Sequence, residues 1–250
     1  DIISMARPML ADAELVKKAF EGREDEINTC IGCNQACLDH AFEGKEVSCL
    51  VNPRACHETK LNYEPTASPK KIAVVGAGPA GLAYATVAAG RGHSVTLYEA
   101  GTEIGGQFNL AKQVPGKEEF YETLRYYARM LQVHDVDVRL NTRVAANDLR
   151  QCGYEHVVVA TGITPRVPNL EGIDHPKAVS YIDVIRGNVE VGTKVAVMGA
   201  GGIGFDVSEL IMHKGVSAAM DKEVFAREWG VDFANHPRGG VTGVVPRLEA

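Results

Sequence analysis

Apolar and polar positions follow two different regimes along this chain. From Lys71 onward short, mostly apolar runs at 72–75, 94–99, 136–140 and 157–161 alternate with helical patterns, an Ala-rich one over 80–90 and an amphipathic one over 120–131. The run at 72–75 reads as a short buried strand and the others as further strands. A second unit of the same kind opens with a strand at 194–198 and a helix reaching about 213. After that the pattern weakens: residues 215–250 hold two aromatic clusters and several glycines without clear alternation, so the second unit reads as incomplete. Strands alternating with helices predict an α/β chain with a Rossmann-like nucleotide-binding domain.

Upstream of Lys71 the periodicity is poor. Residues 2–5 read as the end of a buried strand, which Arg7-Pro8 breaks, and Asp12 is placed to cap a helix over 13–20. Residues 21–66 are rich in Asn, Glu and Gly and carry five of the chain's six cysteines. A segment that long without apolar repeats needs a staple, and a metal centre supplies one. Residues 65–71 read as a linker.

Composition narrows this further. In 250 residues, 45% are hydrophobic, enough for one or two real cores. The formal net charge is −6 with no basic block, which argues against a nucleic-acid partner. No apolar run reaches the length of a membrane span. The chain begins at Asp1 in mid-pattern, as expected of a piece of a longer protein. Six cysteines are too few for a disulfide scaffold, and four are bunched at metal-ligand spacing, so a reducing, cytoplasmic setting is expected.

Those four stand as Cys30-Ile31-Gly32-Cys33-Asn34-Gln35-Ala36-Cys37, with Cys49 twelve positions beyond the last. Iron in a cluster takes soft, anionic thiolates. A Cys-x2-Cys-x3-Cys run lets one loop wrap a cluster corner by corner, and the distant cysteine closes the cage. Structural zinc also takes four thiolates, but it more often pairs two Cys-x2-Cys knuckles, and here there is one. Cys56 reads as a buried structural thiol and Cys152 as a core residue. His40 and His57 read as surface or hydrogen-bonding side chains.

Val74-Val75-Gly76-Ala77-Gly78-Pro79-Ala80-Gly81 has a strand before it and a helix after it. That is the context in which a glycine loop binds a dinucleotide. Gly76 makes the tight turn, Gly78 lets the pyrophosphate approach, and Gly81 lets helix and strand pack closely. The helix N-terminus faces the phosphates. The next strand ends at Glu99, whose carboxylate suits a ribose 2′-hydroxyl. The run 157–161, closing at Gly162, favours FAD in particular, and Gly105-Gly106-Gln107 is placed to run under its isoalloxazine ring. The second loop, Gly199-Ala200-Gly201-Gly202-Ile203-Gly204, follows its own strand, so a nicotinamide dinucleotide is the natural second ligand. The strand that would separate NADPH from NADH is not evident.

The order of these parts resembles the NADH:flavin oxidoreductase family with iron–sulfur and FAD/NAD(P) domains, and within it the bacterial NADPH-dependent 2,4-dienoyl-CoA reductases. The 2-enoate reductases and trimethylamine dehydrogenases share the plan. The resemblance rests on Ser4-Met5-Ala6-Arg7-Pro8, on the cysteine run, and on Cys49-Leu50-Val51-Asn52-Pro53-Arg54-Ala55-Cys56-His57-Glu58. It rests also on Gly105-Gly106-Gln107-Phe108, Pro115-Gly116-Lys117-Glu118-Glu119-Phe120 and Gly201-Gly202-Ile203-Gly204-Phe205-Asp206. It extends from residue 1 to about 213.

The resemblance implies that residues 1–27 are the end of an FMN-binding TIM barrel and 28–66 an iron–sulfur segment. It makes 67–190 an FAD domain and 191–250 an incomplete NAD(P)H domain. Cys30, Cys33, Cys37 and Cys49 would hold a 4Fe–4S cluster. Ala6 and Arg7 match the end of the FMN phosphate site, and Gln35 a position that reaches FAD. Ala80, Glu99, Gln107 and Lys117 match FAD contacts, and Val144 an adenine neighbour. Electrons would pass from NADPH to FAD, the cluster, FMN and an enoyl-CoA thioester. No catalytic residue falls in these 250, and the chain alone is expected to be inactive. The alternatives are the same architecture acting on an enoate or an amine, and a non-catalytic nucleotide-binding module with a structural zinc.

Overall fold

The computed structural model describes residues 2–234 and 236–242 and divides the chain into two compact units. The first holds residues 1–109 and 119–165; the second holds 110–118 and 166–250.

The first unit starts with two short helices, α1 (Arg7–Ala11) and α2 (Leu15–Phe20). Residues 2–5 form no strand, and Ile2 and Ile3 are exposed. A strand exists only by hydrogen bonding to a neighbour, and among the described residues none runs alongside them. Pro8 opens α1 rather than breaking a strand, because its missing N–H costs nothing in a first turn. Asp12 does not cap a helix over 13–20 as expected: α2 begins at Leu15 with Glu14 at its N-cap, and Asp12 instead turns the chain just before it. One carboxylate oxygen accepts from Glu14 N at 2.9 Å; the other accepts from Lys18 Nζ at 2.6 Å and Asn28 N at 2.9 Å. Lys18 also donates to Glu26 O at 2.9 Å. Asp12 is buried, so Asp12→Ala strands an ammonium and an amide in the interior. The expected cost is about 3 kcal/mol, read as a lower urea midpoint at unchanged slope.

After a 3₁₀ turn at Glu24–Glu26 the chain is irregular except for α3 (Leu38–Phe42). Regular alternation then begins with β1 (Lys71–Val75), α4 (Pro79–Gly90) and β2 (Ser94–Tyr98). Helix α5 (Phe108–Ala111) marks the first passage between units. Helix α6 (Phe120–Val133), β3 (Asp137–Arg139), α7 (Ala146–Gln151) and β4 (His156–Val159) complete the first unit. All four strands are parallel, in the order β3-β2-β1-β4. The order arises because each crossover returns the chain to the same edge until β4, which pairs β1 on its other side and puts the strand ends of β1 and β4 together (Val75 beside Val159).

Ile72, Val74, Val95 and Leu97 of the sheet meet Leu82, Ala85 and Ala88 of α4 and Tyr127 and Leu131 of α6 in one core. The small residues of α4 let it lie close to the sheet. Helix α6 buries Thr123, Tyr127 and Leu131, which fall every fourth position on one stripe.

In the second unit, α8 (Tyr181–Ile185), α9 (Gly202–Met212) and α10 (Lys222–Trp229) are the α-helices among the described residues. Asp221 caps α10 by accepting from Glu223 N and Val224 N, and Gly230 ends it in the left-handed region. The strand expected at 194–198 does not form, and Val195, Val197 and Met198 are exposed. Its apolar run is real, but among the described residues no strand lies beside it to take its backbone bonds. Cys56 and Cys152 are both exposed, not buried as expected. Cys56 sits at a left-handed turn and Cys152 ends α7, and both positions face outward whatever the side chain's hydropathy. Phe225, Trp229 and Phe233 are exposed.

Candidate functional site

Left-handed backbone at Gly32 and Asn34 folds the cysteine run back on itself, and Gly32 N donates to Cys30 Sγ at 3.4 Å. Cys37 caps α3. Ser48 N donates to Ala36 O at 2.8 Å, which brings Cys49 to the same place. Cys30, Cys33, Cys37 and Cys49 consequently line one small recess, together with Arg7 and Leu10. All four are free and half-buried. Burial pushes the Cys49 thiol up, against backbone N–H groups of Val51 and Asn52; neighbouring Cys30 and Cys33 push it up further. Four soft donors on one recess are the donor set that an iron–sulfur cluster takes. Among the described residues no three Cys, His, Asp or Glu side chains group closely enough to hold a single metal ion.

The walls of this recess are fixed by side chains whose role the sequence did not reveal. Asn28 Nδ2 donates to Val51 O at 2.7 Å and Asn52 Nδ2 to Leu10 O at 2.8 Å. From α6, Arg125 donates to Asp25 O at 2.6 Å and Ile27 O at 2.8 Å, and Arg129 pairs with Glu26 at 3.0 Å. The cysteine segment is thereby tied to the nucleotide-binding fold about a hundred residues later in sequence. An Arg on an amphipathic helix carries no mark of such a partner, so nothing in the sequence signals it. Arg7 Nη1 donates to Asn34 Oδ1 at 2.5 Å, so Arg7 borders the recess, with Ala6 at the start of α1. Gln35 is exposed on the cysteine loop. His40 and His57 are hydrogen-bonding residues, to Glu46 O and Ala55 O.

At the carboxyl end of the sheet, Gly76 has φ +105, and a Cβ there would lie 2.3 Å from Ala160 O. A Cβ on Gly81 would lie 1.9 Å from Gly76 O. Gly78 faces open space, the room a pyrophosphate needs. Glu99 turns its carboxylate onto this loop, accepting from Ala77 N at 2.8 Å and Gly101 N at 2.7 Å. Gly105 N donates to Ala77 O at 2.7 Å, which lays the 105–107 segment across the turn. Gln107 Nε2 donates to Ile163 O at 2.8 Å, beside Gly162 with its positive φ. Gly76, Gly78, Ala80, Gly81, Glu99, Gln107 and Gly162 are thus gathered at one end of the sheet. Val144 is half-buried after β3, two residues past Thr142, whose N donates to Glu99 O.

The second glycine loop repeats the first. Gly199 has φ +114, a Cβ on Gly204 would lie 2.2 Å from Gly199 O, and Gly201 opens α9. The turn is built although the strand before it is not. Lys117, expected to face FAD, pairs with Asp206 Oδ2 at 2.5 Å within the second unit.

Residues 70–226 match the family model described as pyridine nucleotide-disulphide oxidoreductase. The metal reductase of Desulforamulus reducens is 40% identical over 222 residues, covering 86% of this chain and 33% of that protein. The cinnamate reductase of Clostridium sporogenes is 34% identical over 220 residues, covering 86% of this chain and 32% of that protein. The solved complex of 2-naphthoyl-CoA reductase with 2-naphthoyl-CoA aligns with a TM-score of 0.81 at 38% identity, over 84% of this chain and 32% of that one. The chain therefore spans about a third of the length of the relatives it matches.

Proposed function

Since the chain belongs to the pyridine nucleotide-disulphide oxidoreductase family, we propose that it is the electron-relay portion of a flavin oxidoreductase. The parent enzyme takes electrons from NADPH and delivers them, by way of FAD, a 4Fe–4S cluster and FMN, to a conjugated enoyl thioester, 2,4-dienoyl-CoA on the motif resemblance. The observation that carries this reading is a four-thiol recess and an FAD-type turn in one folded unit, followed by a second dinucleotide turn of the same geometry. FAD, when bound, exchanges electrons in pairs with a nicotinamide and singly with a metal centre.

The chain's own residues have definite tasks in this reading. Gly78 leaves room for the FAD pyrophosphate at the N-terminus of α4, and Ala80 lines the first turn. Glu99 holds the loop through Ala77 N and offers its carboxylate to the adenosine ribose, with Val144 toward the adenine. Gln107 and Gly162, tied together, border the flavin end, and Gln35 is a further FAD contact. Gly199, Gly201 and Gly204 receive the nicotinamide dinucleotide. Cys30, Cys33, Cys37 and Cys49, which line one recess, hold the cluster. Ala6 and Arg7 close the FMN phosphate site. Residues 1–27, 28–66, 67–190 and 191–250 are accordingly barrel end, cluster segment, FAD domain and NAD(P)H domain. Six free thiols suit a reducing cytoplasm.

Glu99→Ala is expected to weaken FAD binding by roughly 1–3 kcal/mol, the scale of a hydrogen bond whose partner is left unpaired. Equilibrium titration of the apoprotein with FAD reads this directly, and unchanged affinity would remove Glu99 from the flavin site. The proposed reaction is tested on the parent enzyme with NADPH under anaerobic conditions, comparing 2,4-dienoyl-CoA with cinnamate. Oxidation of NADPH dependent on the thioester supports the proposal. Turnover with the free enoate alone would favour the second reading, an enoate reductase, to which the cinnamate-reducing relative points.

A further inference from the structure

Helix α6 touches both ends of the proposed electron path within the first unit. In its first turn, Phe120 stacks on Phe108 with ring centroids 4.5 Å apart and planes 6° from parallel. Phe108 directly follows Gln107, whose side chain is tied to Ile163 O beside Gly162. The backbone turns at the same place, Phe108 N donating to Gly105 O at 3.0 Å. The stack thus fixes the 105–107 segment, the flavin end of the FAD turn, against the start of α6.

About 7.5 Å further along the helix axis stands Arg125. Its guanidinium reaches the chain just ahead of the first cysteine. Nη1 donates to Asp25 O at 2.6 Å; Nη2 donates to Ile27 O at 2.8 Å and to the hydroxyl of Thr29, the residue before Cys30, at 3.3 Å. Nε donates to Glu122 Oε2 at 2.6 Å, one turn back on the same helix, so the fork is oriented before it meets the loop. Arg129 holds side chains instead, pairing with Asp25 Oδ2 at 2.8 Å and Glu26 Oε1 at 3.0 Å. The bonds from Asn28 and Asn52 run to Val51 and Leu10, so they close the recess without fixing it to the sheet. The helix itself is held in place, since Tyr127 and Leu131 are locked in the core with Leu82 and Ala85 of α4. Electron transfer between two centres falls off steeply with their separation, so a fixed element that grips both ends governs its rate.

We propose that Arg125 is a positioning residue that sets the spacing between FAD and the cluster, an inference that rests on the FAD and cluster assignments above. The test uses the 250-residue chain loaded with FAD and reconstituted anaerobically with iron and sulfide. A flash-generated deazaflavin radical gives one electron to FAD. That electron passes to the cluster, which is reduced by one while FAD returns to its oxidised state. Bleaching of the cluster band at a rate independent of the deazaflavin concentration reports the internal step. Arg125→Ala should slow it about tenfold or more at unchanged iron, sulfide and FAD content, because small misplacements of reacting centres are felt on that scale. Arg125→Lys keeps the charge but loses the fork; it should also slow the step, and it carries the test if the alanine variant loses the cluster. The cluster's midpoint potential should be unchanged in Arg125→Lys. An unchanged rate in a variant that keeps both cofactors would overturn the inference. So would a slowing explained by a shifted cluster potential, which would make Arg125 a charge and not a spacer. Both results leave the FAD and cluster assignments standing. An unaltered chain that fails to take up FAD or the cluster would overturn those assignments, and this inference with them.

Discussion

Replacing Cys33 by Ala should abolish the chromophore of the proposed iron–sulfur cluster and open residues 28–60 to proteolysis. Cys33 sits at the centre of the Cys-x2-Cys-x3-Cys run, and the segment around it has little else to hold it. Between Glu26 and Lys71 the only regular element among the described residues is the five-residue α3, and Phe42, Leu50 and Leu61 are exposed, not packed. The remaining ties are hydrogen bonds at the base of the loop, from Asn28, Asn52 and Arg125. A metal centre bonded at four points along such a loop contributes its binding free energy to folding. Limited proteolysis should therefore cut the variant between 28 and 60 and leave the sheet of residues 71–159 intact. Resistance equal to that of the unaltered chain would mean that the recess does not depend on a metal.

The second large effect separates two glycines three positions apart. Gly81→Ala should destabilise the whole nucleotide-binding unit by about 3 kcal/mol or more, because its Cβ would lie 1.9 Å from Gly76 O, a backbone atom that cannot swing aside. Gly78→Val should leave the fold near its original stability, since open space surrounds that position, and should instead eliminate FAD binding. Thermal melting without FAD, followed by FAD titration, distinguishes the two. If Gly78→Val retained full affinity, the flavin would lie elsewhere. If Gly81→Ala melted like the unaltered chain, the contact between helix and strand would be looser than these distances imply.

Much of the fold is legible in the amino-acid sequence. The apolar runs at 72–75 and 94–99 predict strands, and each finds a neighbour. The glycine spacing of 76–81 predicts a turn because only residues without a Cβ tolerate those contacts, and the same logic holds at 199–204. The run at 194–198 fails for a physical reason: hydrophobicity makes a strand possible, and a partner makes it a strand. Cys56 and Cys152 fail for a similar reason, since burial of a small side chain is decided by the backbone around it. Asp12, Asn28 and Arg125 organise the cysteine recess through contacts as much as a hundred residues apart, which no local pattern encodes.

On the proposed function, one folded unit joins a four-iron cluster to an FAD site. Anaerobically prepared protein should be analysed for iron, acid-labile sulfide, zinc and flavin in one sample. About four irons and four sulfides are expected for each FAD. Stoichiometric zinc with neither iron nor sulfide would contradict that proposal.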